Sequence, residues 1–178
     1  MFRTREEKKP AGSITRTIHD VGLAIWWGGT AMGTLAMNPA VEVLDDPEER
    51  GKMVDEGWAR FQPFAAAGLT AAIISHIVMR RRPPLKPTAA YKNTARISDL
   101  LMVAAVVSSI ASLALGEYAV TQEPDAYTPI ESATTPVDET PEETVQAQGG
   151  LTISSWIQLL SGIGLFITKA MLAVEREK

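Results

Sequence analysis

The sequence predicts an all-α, multi-pass integral membrane protein with four transmembrane helices in a bundle and both termini cytoplasmic. Two observations carry that prediction. Apolar stretches of roughly 16 to 20 residues recur along the chain, each near the length that crosses a bilayer core as a helix. The segments joining them alternate in charge. Residues 80–96 hold six basic side chains, Arg80, Arg81, Arg82, Lys86, Lys92 and Arg96, and no acid, whereas residues 116–150 hold eight acids and no lysine or arginine. Bulk averages hide this segregation, because a net charge of −4 and a mean hydropathy of +0.02 also suit a soluble domain.

The first span is expected over residues 18–37, after a basic segment 1–17 that contains Arg3, Arg5, Lys8, Lys9 and Arg16. Asn38-Pro39 should close it, since proline has no N–H and crowds the preceding helical turn. Residues 38–60 then form an outer loop. Within it, Asp45-Asp46-Pro47-Glu48-Glu49 reads as a helix start, with an acidic cap, a proline in the first turn and acids matching the helix dipole. Val54, Trp58 and Phe61 follow at helical spacing, which predicts an interfacial helix running into the second span, 61–79. The basic loop 80–96 leads to the third span, 97–115. Segment 116–150, rich in Pro, Thr and Glu, has too little apolar content to fold alone and is expected to be disordered. The fourth span, 151–174, opens after Gly149-Gly150 and leaves a short tail, 175–178. Lysine and arginine in short loops mark the cytoplasmic side, which places 80–96 and both termini inside.

Small residues at four-residue spacing allow helices to approach closely in lipid. Ala104, Ser108 and Ser112 provide such a stripe in the third span, Ala67, Ala71 and Ser75 in the second, and Gly29 and Gly33 in the first. Internal packing is the expected use of the glycines, ahead of a homodimer face. Trp26 and Trp27 are read as bulky packing opposite glycine, ahead of a ligand lining.

Ionisable groups inside a span are costly and therefore carry functional hypotheses. His19, Asp20, His76, Asp99 and Lys169 all fall in the cytoplasmic third. One reading is an intramembrane polar cluster, with Asp20 or Asp99 paired to Lys169 and with His19 and His76 holding haem b, a metal ion or a proton. The other is that the acids cap helix starts and Lys169 extends to the headgroups. The chain has no cysteine, which excludes disulfides, thiolate metal sites and cysteine nucleophiles. No hydrolase, kinase or nucleotide-binding motif is present, so no catalytic residue is assigned.

The run from Ile18 to Gly29, with His19 at its start, Trp27-Gly28-Gly29 in its middle and Pro39 just beyond the helix, resembles the first helix of a set of small four-helix membrane proteins. That set is similar to the membrane domain of copper-resistance D proteins and to an uncharacterised bacterial family. The resemblance covers under half of the chain. It implies a four-helix bundle with His19 and Trp27 as family positions, and no settled activity.

Three functions are weighed. The leading expectation is a non-enzymatic accessory or scaffolding subunit of a larger complex in the cell membrane, contacting lipid and either other subunits or a second copy of itself. The second is a haem- or metal-binding protein using His19 and His76. The third is a small oligomeric transporter. The acidic excess sits in the outer loops and argues against nucleic acid as a partner.

Overall fold

The computed structural model describes residues 11–121 and 127–177. The basic residues Arg3, Arg5, Lys8 and Lys9 lie outside the described residues. Alternating small and branched apolar residues wind the first stretch into α1 (Ala11–Met32). It does not stop at Asn38-Pro39 as expected. The helix widens into a π turn, Gly33–Met37, with the Asn38 N–H bonded to the Gly33 carbonyl, and runs on through Asn38–Ala40 into a 3₁₀ turn at Val41–Val43. A wider turn accommodates the ring and missing donor of Pro39 without reversing the chain.

Asp46 caps the next helix, its Oδ1 accepting the Glu48 N–H at 2.9 Å, and Pro47 occupies the first turn. The helix expected to run from the outer loop into the second span is α2 (Pro47–Arg80), with Pro63 inside it. Pro63 and Ala59 both lie on an exposed face, where a carbonyl without its helical partner disturbs no packed neighbour. Thr88 caps α3 (Ala89–Val120), its Oγ1 accepting the Tyr91 N–H at 3.0 Å. The last helix, α4, spans Glu142–Glu177.

Three helices, α2, α3 and α4, are long and apolar enough to cross a membrane. In α1 the side chains of His19 and Asp20 dilute the apolar run. Outward positions such as Phe64, Ile74, Val103, Val107, Leu160 and Ile167 are more than half exposed, an apolar belt larger than a soluble monomer displays. At 1.5 Å per residue the three long helices measure roughly 50 Å, about 20 Å more than a hydrocarbon core. For α2 and α4 the excess lies chiefly at the acidic end, where it supports a structured cap.

Two antiparallel pairs make up the body. In the α1–α2 pair, Gly22 and Gly68 bring the backbones together, so that a Cβ on Gly68 would lie 2.8 Å from the Gly22 carbonyl oxygen. Gly29 and Gly33 face the rings of Phe61 and Trp58 of the same chain. The face of α2 that does this work carries Gly68, Ala72 and Ser75. Ala67, anticipated in that stripe, is exposed. In the α3–α4 pair, Gln158 donates to Ser112 Oγ at 2.7 Å, and Ser112 and Ser154 share a 2.6 Å hydrogen bond. Ser108 is buried in this seam, and its hydroxyl donates to the Ala104 carbonyl at 2.7 Å. The pairs meet around Leu23, Trp26, Leu69, Met102 and Leu165.

The expectation of disorder over 116–150 fails for its described residues. α3 continues to Val120, α4 begins at Glu142, and between them β1 (Ile130–Ser132) and β2 (Thr135–Pro136) form a small antiparallel hairpin. The segment has no core of its own, so it uses the protruding turns of α2. Ile130 packs on Val41 and Val54, Arg50 pairs with Glu131, and Gly51 leaves room for the Thr128 carbonyl.

Asp55, on this cap, is half-buried. Burial, with a smaller contribution from Glu56, pushes its carboxyl up to about 6. The folded form therefore holds a proton at pH values where the unfolded chain has released it. Stability should fall as pH rises from about 4 to about 6, the interval between the usual carboxylate value and the raised one. Asp55→Asn should remove that slope in thermal denaturation measured across the window.

Candidate functional site: an ionic cluster at the basic end

Antiparallel packing brings together the start of α1, the end of α2, the start of α3 and the end of α4. His19, Asp20, His76, Asp99 and Lys169 therefore converge at one end of the bundle, although up to 150 residues separate them in sequence. They divide into two groups. Asp20 pairs with Lys169, and its Oδ1 lies 3.3 Å from His19 Nδ1. Asp99 receives a bidentate contact from Arg80, with Nε to Oδ1 at 2.8 Å and Nη2 to Oδ2 at 2.9 Å, and His76 Nε2 lies 2.8 Å from Oδ1. A forked guanidinium matches a carboxylate in both geometry and charge.

Lys169 thus takes Asp20 as its partner, and Asp99 takes Arg80. The role of Arg80 was missed because it begins the basic run 80–82, which reads as a solvated loop. The available signal was spacing, since Arg80 lies one helical turn beyond His76 and shares its face. Tyr91, 2 % exposed, also closes the site.

The two histidines are not alike. His76 is committed to Asp99. His19 is 1 % exposed, and its Nε2 has no hydrogen-bond partner among the described residues. The rings lie 6.1 Å apart between centroids and are tilted by 31°. The space beside them is about 40 Å³. A void of that size holds a water molecule and not a tetrapyrrole, so a haem between His19 and His76 does not fit this packing. Among the described residues no three His, Cys, Asp or Glu side chains converge to hold a metal ion.

Chemically, the arrangement neutralises charge inside the bundle. Each carboxylate faces at least one cation, and each pair joins helices from different hairpins: Asp20 of α1 to Lys169 of α4, and Asp99 of α3 to Arg80 of α2. These ties span the two seams that carry little other close packing at this end. With Asp20 41 % exposed and Lys169 19 %, solvent screening limits the coupling. A double-mutant cycle of Asp20→Asn and Lys169→Met should give a coupling on the order of 1 kcal/mol. The double variant should be more stable than the two single losses add up to, as read from denaturation midpoints in micelles.

No family model, no curated protein and no solved structure matches this chain.

Proposed function

We propose that this protein is a four-span integral protein of the cell membrane with both termini cytoplasmic, and that it acts as a non-enzymatic accessory or scaffolding subunit of a larger membrane complex. The observation that carries this reading is the self-neutralised ionic cluster. In it Asp20 is committed to Lys169 and Asp99 to Arg80, as ties between helices. The space beside that cluster holds no more than a water molecule. α1 and the π turn after it serve as the fourth span because they run antiparallel along α2, from Gly22 against Gly68 to Gly33 against Trp58, and turn Val21, Ile25 and Leu35 outward. The basic segment 80–96 favours the inner side and the acidic cap the outer side. A cap of folded loops on protruding helices supplies a polar surface suited to a partner subunit.

Two experiments test it. The chain has no cysteine, so Lys86→Cys and Asp138→Cys each provide a unique label site. A membrane-impermeant maleimide should label position 138 in intact cells and position 86 only after permeabilisation. The reverse pattern overturns the orientation. Affinity purification in mild detergent should recover other membrane subunits in fixed ratio, and a strictly monomeric preparation with none overturns the accessory role.

A further inference from the structure

The two helix pairs draw apart toward the acidic end around a cavity of about 800 Å³, with Trp26, Phe61, Asp55 and Gln148 in its lining. The charged side chains on its wall, among the described residues, are carboxylates. Charge of the opposite sign gathers at the other end of the bundle, on the outer surface, where Arg81, Arg82, Lys86, Lys92 and Arg96 are all exposed. Five other cations have partners within the chain. Arg50 pairs with Glu131, Arg60 with Glu56, Arg80 with Asp99 and Lys169 with Asp20, and Lys52 lies over the Tyr127 ring. None of the exposed five has a carboxylate partner among the described residues. The acids near them are already engaged: Asp99 holds Arg80 and His76, Asp20 holds Lys169, and Glu175 accepts the Thr88 hydroxyl at 3.0 Å. The acids of the cap lie at the far end of helices roughly 50 Å long, and a second copy inserted in the same direction carries its cap on that same far side.

Two of the five cations are placed by the fold against the membrane. At 3.6 residues per turn, Lys92, Arg96, Leu100, Val103, Val107 and Ile110 fall within an arc of about 80° on α3. Leu100, Val103, Val107 and Ile110 are each more than half exposed, on a helix long and apolar enough to cross a membrane, so this arc faces acyl chains. The face that carries Tyr91, Ala95, Ser98, Met102 and Ala105 is buried. The lipid-facing stripe therefore ends, toward the aqueous phase, in Arg96 and then Lys92 one helical turn further. Their flexible stems follow the acyl chains while the charged heads reach the depth of lipid phosphates. A soluble acidic partner has access to Arg81 and Arg82 in the turn, but what adjoins the α3 stripe is the bilayer.

We infer that α3 binds an anionic diacyl phospholipid along this stripe, its phosphate between Lys92 and Arg96 and its acyl chains along Leu100, Val103 and Val107. Net charge sets the choice of headgroup. In a choline or ethanolamine lipid the headgroup's own ammonium offsets the phosphate, so the uncompensated cations gain little by approaching it. A glycerol headgroup adds no positive charge, and its phosphate supplies the counter-charge that the chain lacks here. Arg81, Arg82 and Lys86 strengthen the attraction through their field without holding the phosphate. The inference rests on the membrane-spanning reading and is independent of the accessory role and of which leaflet is the inner one.

The full-length protein is reconstituted in phosphatidylcholine bilayers with trace phosphatidylglycerol, phosphatidylcholine or phosphatidylethanolamine, each spin-labelled near the end of one acyl chain. The motionally restricted fraction is read by electron spin resonance. Phosphatidylglycerol should associate about threefold or more better than the two zwitterionic lipids, and the excess should shrink by about half or more in about 1 M salt. Lys92→Gln with Arg96→Gln should remove most of the preference, whereas Arg60→Gln, which removes a cation paired with Glu56, should leave it unchanged. Equal restriction of the three labels assigns the patch to something other than lipid and overturns the proposal. A preference that survives Lys92→Gln with Arg96→Gln overturns the site on α3. The lipid and salt comparisons use the unaltered protein and so do not depend on how the variants fold. Absence of a restricted component for every label overturns the membrane-spanning reading itself, an outcome distinct from equal restriction.

Discussion

Trp26→Ala is expected to cost about 3 to 5 kcal/mol of stability, the range for emptying a large aromatic site in a packed interior. Trp26 is 1 % exposed and sits where the two helix pairs meet. Its Nε1–H donates to Ser109 Oγ of α3 at 3.1 Å, so the ring also ties α1 diagonally across the bundle. Truncation removes the largest fully buried side chain among the described residues and strands a hydroxyl. Because the indole borders the cavity, the neighbours on that side cannot collapse into the void. Trp26→Phe should keep most of the contact and lose chiefly the hydrogen bond, about 1 kcal/mol. Both values are read from thermal or denaturant midpoints in micelles. Equal midpoints for Trp26→Ala and the unaltered protein would place the core elsewhere.

Gly22→Val is expected to separate α1 from α2 and to abolish the folded bundle. A Cβ at this position would lie 2.5 Å from the Gly68 carbonyl oxygen and 3.0 Å from the Ala72 nitrogen. Both are backbone atoms of a packed helix, so no rotamer change relieves the overlap. Overpacking ordinarily costs about 1 to 3 kcal/mol, and a clash between backbones lies at or beyond the top of that range. Moving the helices apart also displaces Phe61 from Gly29 and Trp58 from Gly33, because the contacts lie along one seam. Gly28 provides the control, one helical turn and a half further on. Nothing lies within 4 Å of a Cβ built there, so Gly28→Ala should be neutral or raise the midpoint by up to about 1 kcal/mol through helix propensity. A folded, cooperative Gly22→Val with an unchanged elution volume would show that the α1–α2 seam is not a close backbone contact.

The two ends of the bundle meet opposite requirements. At the basic end, ion pairs join helices whose side chains leave little free volume, and the charges inside the bundle are used up in holding the pairs together. At the acidic end the pairs separate, and the charged side chains that line the space between them are carboxylates, Asp55, Glu56 and Glu117. This division makes the His19 and His76 region a poor host for a large cofactor and the opposite end the roomier site.

The sequence by itself determined the helical character, the apolar lengths of α2, α3 and α4, the helix start at Asp46-Pro47 and the segregation of charge. Each of these follows from local periodicity, capping chemistry or composition, which are properties of neighbouring residues. It also named His19, Asp20, His76, Asp99 and Lys169 as a set, because helices of alternating direction bring such positions to one depth. Only the tertiary structure decided the pairing within that set, since choosing between Arg80 and Lys169 as the partner of Asp99 depends on which helix lies beside which. It likewise decided that Pro39 is absorbed by a π turn, that Pro63 lies on an open face, and that residues 127–141 fold by resting on α2. Those outcomes depend on surfaces contributed by distant segments. The cavity was hidden for the same reason, because Trp26, Asp55 and Gln148 share a wall only once two hairpins have been set apart at one end and tied at the other.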